Sequence, residues 1–304
     1  LVFGHDQAII DPEVELVVGD VGNQELVREL FSKHAFGAVI HFAAYAYVGE
    51  SVTNPLKYYQ NNTAEPIKLL QVMQEFGCKI FVFSSTCATY GVPDHLPITE
   101  KCSQNPINPY GKSKLMVEWI LADCDTAWNL RSACLRYFNA SGCSADGLIG
   151  EDHHPETHLI PRVMMAVSGD IDQLEVFGTD YETPDGTCIR DYIHVEDLAD
   201  AHIRALDHLS SGGGSIRCNL GTGIGVSVKE IITAVEEITA QSVPVKYGPR
   251  REGDPAVLVA DPTLAKECLG WVATHTDISD MVRPAWLWAT GPNAGKYPTN
   301  TMTR

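Results

Sequence analysis

Positive charge is scarce in this chain. Its 304 residues carry 22 Lys and Arg against 39 Asp and Glu, a formal net charge of −17. Non-specific binding of nucleic acid or of an anionic membrane needs a basic surface, so the expectation is neither partner. A local basic pocket for a phosphorylated small molecule remains open. Long apolar runs are missing too: Ala38–Val48 is interrupted by His41 and falls far short of the roughly 20 residues a spanning helix requires. The nine cysteines form no CxxC pair and no tight cluster, which argues against a disulfide framework or a zinc ribbon. Inside Ser132–Phe138 a thiol acts as a small hydrophobe. Free thiols fit a reducing compartment, and Asp6, Asp11, Glu13 and Glu15 do not suit a signal or transit peptide, so a cytoplasmic protein is expected. Internal repeats and low-complexity stretches are lacking as well.

What is present is a globular composition, 44% hydrophobic and 20% charged, in a chain long enough to bury roughly 75% of its unfolded surface. Short apolar runs alternate with helical patterns. Val14–Val18 reads as a strand, Asn23–Lys33 as a helix, Ala38–Ala44 as a strand and Pro55–Phe76 as one long helical segment. Ile80–Ser85 is expected as strand, Tyr110–Asp123 as helix and Ala133–Asn139 as strand. These strands are continuously apolar, as when both sheet faces are covered. Strand–helix alternation then implies right-handed crossovers and a doubly wound parallel sheet, an α/β fold. After Asn139 the texture changes: Gly142–His158 reads as a loop. Shorter elements are expected at Ile160–Ser168, Leu174–Phe177, Ile189–His194, Val195–Leu209, Ile216–Leu220, Val226–Ala240 and Val243–Tyr247. The expected organisation is a dinucleotide-binding region over 1–140, a mainly substrate-binding region over 141–290 interleaved with it, and a polar tail over 291–304.

The strongest chemical signal is Tyr110-Gly-Lys-Ser-Lys114. Tyr and Lys at i and i+4 share one helix face, and Asn108-Pro109 marks the helix start. An ammonium held beside a phenol draws the tyrosine down towards neutrality and makes Tyr110 a general base. Upstream, the strand at Ile80 ends in Ser84, Ser85 and Thr86, and ligands of open parallel sheets bind at carboxyl ends of strands. A strand-end hydroxyl with a nearby Tyr–Lys pair resembles the Ser/Thr–Tyr–Lys triad of the extended short-chain dehydrogenase/reductase superfamily.

The resemblance narrows through ordered motifs: His41–Ser51, Tyr58–Asn62, Leu135–Asn139, Arg190–Val195 and Arg250–Asp254. Together they resemble the UDP-sugar 4-epimerases of the UDP-galactose/UDP-glucose group, over residues 14 to 288. The resemblance implies a Rossmann-type fold, NAD as cofactor, a UDP-sugar substrate and a homodimer paired through a helix bundle. It implies Thr86, Tyr110 and Lys114 as catalytic residues, with Lys114 holding the nicotinamide ribose. It places Asp20 and Val21 beside adenine, and Phe42, Ala43, Ala44, Asn61, Ser84 and Tyr137 along the cofactor. Asn139, Leu159, Phe177, Arg190, Arg251, Asp254 and Leu258 are implied at the substrate: Phe177 stacked on uridine, the two arginines on the diphosphate, Asp254 at the ribose. Guanidinium suits bidentate phosphate binding. The implied reaction is transient oxidation at C4 of the sugar, with hydride returned to the opposite face.

Two features look like decoys. Gly221-Thr-Gly-Ile-Gly225 lacks the full dinucleotide spacing and reads as a tight turn. His153, His154 and His158 with Glu151 and Asp152 lie in a Pro-containing loop without i, i+4 pairing, so no metal is expected. The glycine-rich phosphate loop is itself missing upstream of Val14, so the expectation is that the native N-terminus, with its first βα unit, is left off and that NAD binds poorly. A sugar-nucleotide 4,6-dehydratase would need an acid/base carboxyl pair after Thr86, where Cys87-Ala88 stand. A catalytically silent NAD-fold protein is the other alternative. Leu258, where a bulky Tyr would exclude an N-acetyl group, suggests tolerance of UDP-N-acetylhexosamine or of UDP-arabinose and UDP-xylose.

Overall fold

The computed structural model describes residues 4–251, 254–292 and 296–297. Of the expected tail, only 291, 292, 296 and 297 fall among them; Glu252 and Gly253 of the Arg250–Asp254 motif lie outside the described residues. The strands are β1 (Val39–His41), β2 (Ile80–Thr86), β3 (Arg131–Tyr137), β4 (Asn139–Ser141), β5 (Leu174–Phe177), β6 (Ile189–His194), β7 (Ile216–Leu220), β8 (Gly225–Ser227), β9 (Val245–Gly248) and β10 (Val257–Leu258). The helices are α1 (Gln24–Lys33), α2 (Val48–Thr53), α3 (Pro55–Tyr59), α4 (Glu65–Glu75), α5 (Pro109–Trp128), α6 (Leu159–Ser168), α7 (Val195–Ser210), α8 (Val228–Thr239), α9 (Thr263–Leu269) and α10 (Ile278–Thr290).

Four strands form an all-parallel sheet in the order β1-β2-β3-β7. Its continuous apolar runs follow from the pleat. Phe81 and Phe83 of β2 point to one face, against Val27 and Phe31 of α1, Leu70 and Met73 of α4, and Val117 and Leu121 of α5. Val82, between them, points the other way, with Ala133, Leu135 and Cys218, against Leu198, Ala201 and Ala205 of α7 and Leu269 of α9. Each large apolar side chain buried this way contributes roughly 1.5–3 kcal/mol, so a polar residue at any of these positions would expose the cost directly.

The remaining strands make a smaller mixed sheet, β10-β6-β4, with β8 antiparallel to β6. A parallel pair, β5 and β9, stands apart from it. Helices α6, α8 and α10 close this region through Ile160, Val163, Ile231, Val235, Met281 and Val282. Among the described residues no helix is long and apolar enough to cross a membrane.

Four expectations need correction. Val14–Val18 forms no strand, and Val14 and Val18 are 53% and 69% exposed; a strand needs a neighbour's backbone, and β1 is the sheet's edge with no described strand on its outer side. The segment Pro55–Phe76 is not one helix, because Gln60–Ala64 widens into a π-helical turn between α3 and α4. Asn139 does not end β3: the chain steps into β4, which leaves the first sheet and pairs with β6. Helix α8 starts at Val228, where a reciprocal capping box between Ser227 and Glu230 sets its first turn; the two residues before Ser227 belong to β8.

Candidate active site

Three parallel strands end on one rim of the sheet, at His41, Thr86 and Tyr137, and most of the candidate residues collect there. Thr86 closes β2, its hydroxyl oxygen accepting the Ala88 N–H at 3.1 Å to start a short 3₁₀ turn. Helix α5 begins opposite. The Asn108 side chain accepts the Gly111 N–H at 2.8 Å and Pro109 takes the first helical position, which puts Tyr110 in the first turn and Lys114 one turn on. The Thr86 hydroxyl stands close enough to the Tyr110 phenol to favour its ionised form. Lys114, buried, donates from Nζ to the Ser84 carbonyl oxygen at 2.9 Å, and the Ser84 hydroxyl hydrogen-bonds the Tyr137 phenol.

The electrostatics correct one expectation. Burial pushes the Tyr110 phenol upward, not towards neutrality, and the Thr86 hydroxyl only partly opposes it. Burial also takes Lys114 from 10.5 down to about 7. Both groups are desolvated, and the ammonium is aimed at a strand carbonyl; a low-dielectric site disfavours the charged form of each. His41, beneath, is lowered to about 3 by burial and by Lys114, so it stays neutral.

Several supporting residues received no role in the sequence reading, although Tyr58, Asn62 and Arg136 lie inside its motifs. Tyr58, fully buried, meets Tyr110 edge-on at 6.5 Å and donates its hydroxyl to the Tyr47 carbonyl oxygen at 2.7 Å. Asn62, in the π-turn, clamps the backbone of Tyr45 from both sides, accepting its N–H and donating to its C=O, each at 2.9 Å. Asn61, the expected cofactor residue, donates its amide to Asn62. Behind the rim, Ser85 donates to Glu118 at 2.5 Å, and Arg136 bonds the same carboxylate through Nε and Nη2 at 3.0 and 2.6 Å. A signal for this pair was available: Glu118 lies at i+4 from Lys114 on the same helix face, and Arg136 interrupts an apolar strand.

The expected cofactor residues split into two groups. Ser84, Tyr110, Lys114 and Tyr137 are joined by contacts. Phe42, Ala43 and Ala44 follow the end of β1, and Phe42 is 56% exposed against the His202 ring at 4.5 Å. Asp20 and Val21 sit in the turn before α1, where Asp20 accepts the Gly22 N–H at 2.7 Å. The nicotinamide-ribose end expected for NAD fits these residues: a phenol, an ammonium and a hydroxyl are held close together with little water. The pyrophosphate end is not supplied by the described residues, none of which forms a glycine-rich turn beside β1.

Substrate candidates pair with one another. Arg190, on β6, donates to Asp254 at 2.5 Å. The Arg251 guanidinium lies 3.9 Å over the Phe177 ring at the end of β5, covering the face expected to stack on a base. Leu258 on β10 and Cys87, directly after Thr86, both pack against the cluster of Tyr90, Ile98, Phe138 and Ala260. Asn139 opens β4 and Leu159 opens α6. The Gly221–Gly225 run is a turn around a side chain: its Thr222 and Gly223 N–H groups donate to the Asp191 carboxylate at 2.8 and 3.0 Å. Those donors are occupied, so the turn cannot cradle a phosphate. In the loop before α6, Glu151, His153, Glu156 and His158 converge, although they lack helical spacing.

Comparison with known proteins follows the same lines. The profile of the NAD dependent epimerase/dehydratase family matches residues 4–221. A UDP-glucose 4-epimerase of Streptococcus mutans is 48% identical over 95% of this chain and 86% of its own length. A UDP-glucose 4-epimerase from Brucella ovis, solved in complex with NAD, is 53% identical, with a TM-score of 0.91 over 93% of this chain and 87% of that one. Another, from Stenotrophomonas maltophila, holds NAD and formylated UDP-arabinopyranose; it is 46% identical, with a TM-score of 0.86 over 90% of this chain and 81% of that one.

Proposed function

The chain belongs to the NAD dependent epimerase/dehydratase family, and on that premise we propose that it is an isomerase interconverting UDP-glucose and UDP-galactose at C4. The observation that carries this is the buried Lys114, one helical turn beyond Tyr110 on α5, with its Nζ on the Ser84 carbonyl oxygen at the strand end that also carries Thr86. NAD, when bound, supplies the hydride acceptor and donor; Lys114, Ser84 and Tyr137 would hold its nicotinamide-ribose end.

The chain's own residues then divide the work. Tyr110 takes the proton of the sugar 4-hydroxyl and returns it, which requires the phenolate, a form that burial opposes and the Thr86 hydroxyl favours, while Thr86 also orients the sugar hydroxyl. Arg190 and Arg251 receive the diphosphate, which requires them to exchange their contacts to Asp254 and Phe177 for phosphate oxygens. Tyr58, Asn62 and the Glu118–Arg136 pair keep the rim rigid beneath these groups.

Leu258, on the same cluster as Cys87, supports a sugar pocket broad enough for pentoses or N-acetylhexosamines, and the pentose ligand of the Stenotrophomonas relative points the same way. The homodimer reading is supported by Met116 and Trp119 on α5, the latter 57% exposed, with Ile67 outward on α4. Nine unpaired cysteines support a reducing, cytoplasmic setting.

The test is direct. UDP-galactose is incubated with the protein and saturating NAD⁺, and UDP-glucose is followed by a coupled dehydrogenase. Conversion that Tyr110→Phe abolishes is expected; a folded protein that binds NAD⁺ and still leaves UDP-galactose unchanged would sink the reading.

A further inference from the structure

The loop that precedes α6 gathers four ligand-type side chains. Glu151, His153, Glu156 and His158 each present one donor atom, and these atoms all lie within 4.8 Å of one another. His158 Nδ1 is 2.6 Å from Glu151 Oε1 and 2.9 Å from Glu156 Oε1; His153 Nδ1 is 3.0 Å from Glu151 Oε1 and 3.7 Å from Glu156 Oε2. Four ligands about 2.1 Å from a zinc ion stand about 3.4 Å apart along the edges of a tetrahedron. Three of the imidazole-to-carboxylate separations, 2.6, 2.9 and 3.0 Å, fall short of that value and one, 3.7 Å, exceeds it, so an ion entering between them spreads the four groups by tenths of an ångström.

The surroundings are those of a prepared site. Glu156 Oε1 accepts the backbone N–H groups of Thr157 and His158 at 2.6 and 2.7 Å, which fixes the carboxylate and leaves Oε2 free of backbone bonds. The Tyr47 ring stands edge-on to His153 at 6.3 Å. Two neutral imidazoles and two carboxylates bring a charge of −2 to a dication, a neutral sum, and the mixed N and O donor set suits a borderline metal.

We propose that Glu151, His153, Glu156 and His158 bind one divalent transition-metal ion of the zinc class. With all four positions filled by protein, the site is structural, not catalytic. It ties the Gly142–His158 loop to α6, whose N-cap is His158 and whose first residue is the substrate candidate Leu159. Without a metal the same groups pair as imidazolium and carboxylate, so metal uptake displaces protons from the two histidines. The second convergence of such residues, His194, Glu196 and His275, has three members only and serves as the control.

The full chain, free of any affinity tag, is stripped with a chelator and titrated with Zn²⁺, and separately with Co²⁺ as a spectroscopic probe. One zinc per chain, the intense visible absorption of four-coordinate cobalt and a zinc-dependent rise in Tm are expected. His153→Ala and His158→Ala weaken binding by more than about 100-fold, since even supporting residues around a metal cost 10–100-fold, while His275→Ala keeps both signals. Glu151→Gln, which preserves shape, replaces either alanine variant that fails to fold. No stoichiometric uptake by the unmutated chain overturns the proposal, as does uptake that survives these substitutions or is lost with His275. The readout is metal content and spectrum, so its failure is distinct from a failure of epimerase activity.

Discussion

Gly111 faces the carbonyl oxygen of Ala88 so closely that a Cβ built on it would lie 2.4 Å from that oxygen. The start of α5 can therefore approach the turn after Thr86 only because position 111 has no side chain, and that approach is what brings Tyr110 to Thr86. The obstacle is backbone, which cannot rotate away. Gly111→Ala should destabilise the protein by about 1–3 kcal/mol and lower kcat more than it raises KM. Thermal melting together with steady-state kinetics checks both.

Tyr110→Phe removes the oxygen proposed to transfer the proton while keeping the ring against Tyr58. A general base contributes about 10²–10⁴-fold, so kcat should fall by that range. Calorimetric binding of the UDP-sugar should change little; a large loss of binding would assign Tyr110 to substrate grip instead.

Lys114 makes stability depend on pH. In the unfolded chain it keeps its proton up to about pH 10.5; folded and buried, only up to about 7. Between those values the unfolded state binds more protons, so stability rises with pH across the window and the full cost is felt below pH 7. Lys114→Met in the absence of NAD should raise Tm at pH 7, by up to about 4 kcal/mol of stability, and the gain should shrink towards pH 10. The same variant loses activity. Melting curves of both proteins at several pH values decide it; a pH-independent difference would contradict the burial argument.

Glu118 and Arg136 form a buried pair, 1% and 3% exposed, which also receives the Ser85 hydroxyl. Glu118→Leu leaves an unpaired buried guanidinium and should cost about 3–5 kcal/mol. The double variant with Arg136→Met should cost less than the sum, because no charge is then stranded. Denaturant titrations of the three variants measure the coupling.

Leu258→Tyr adds bulk against the cluster that Cys87 also packs on, just after the end of β2. It should lower kcat/KM for UDP-N-acetylgalactosamine by about 10-fold or more, since a site that must displace atoms loses roughly 1–3 kcal/mol, while UDP-galactose turnover falls less. Equal loss for both would remove Leu258 as a gauge of pocket size.

Much of this was legible in order along the chain. The continuous apolar strands, the hydroxyl cluster at Ser84–Thr86 and the Tyr110–Lys114 spacing are local patterns, and local geometry carries them directly into the sheet, its carboxyl rim and the first turns of α5. The i, i+4 relation survives folding because a helix imposes it. Asn62, by contrast, matters through the backbone of Tyr45, 17 residues away, and Glu118 through Arg136, 18 residues on. Neither distance has a period a sequence can display.

Charge states and convergence were decided only by the tertiary structure. The Tyr–Lys spacing suggested a phenol drawn downward; burial of both groups sent Tyr110 up and Lys114 down, because desolvation depends on everything packed around a group and not on its sequence neighbour. The loop histidines looked unsuited to a metal for want of helical spacing, yet an irregular backbone brings Glu151, His153, Glu156 and His158 together. Val14–Val18 has the composition of a strand and is not one, because pairing requires a neighbour as well as a pattern. The sequence by itself determined which residue types stand at regular intervals, and so the sheet, the helices and the proposed trio of Thr86, Tyr110 and Lys114. Burial, strand partners and contacts between distant segments were settled in three dimensions, where the energy of a charge or a hydrogen bond depends on what surrounds it.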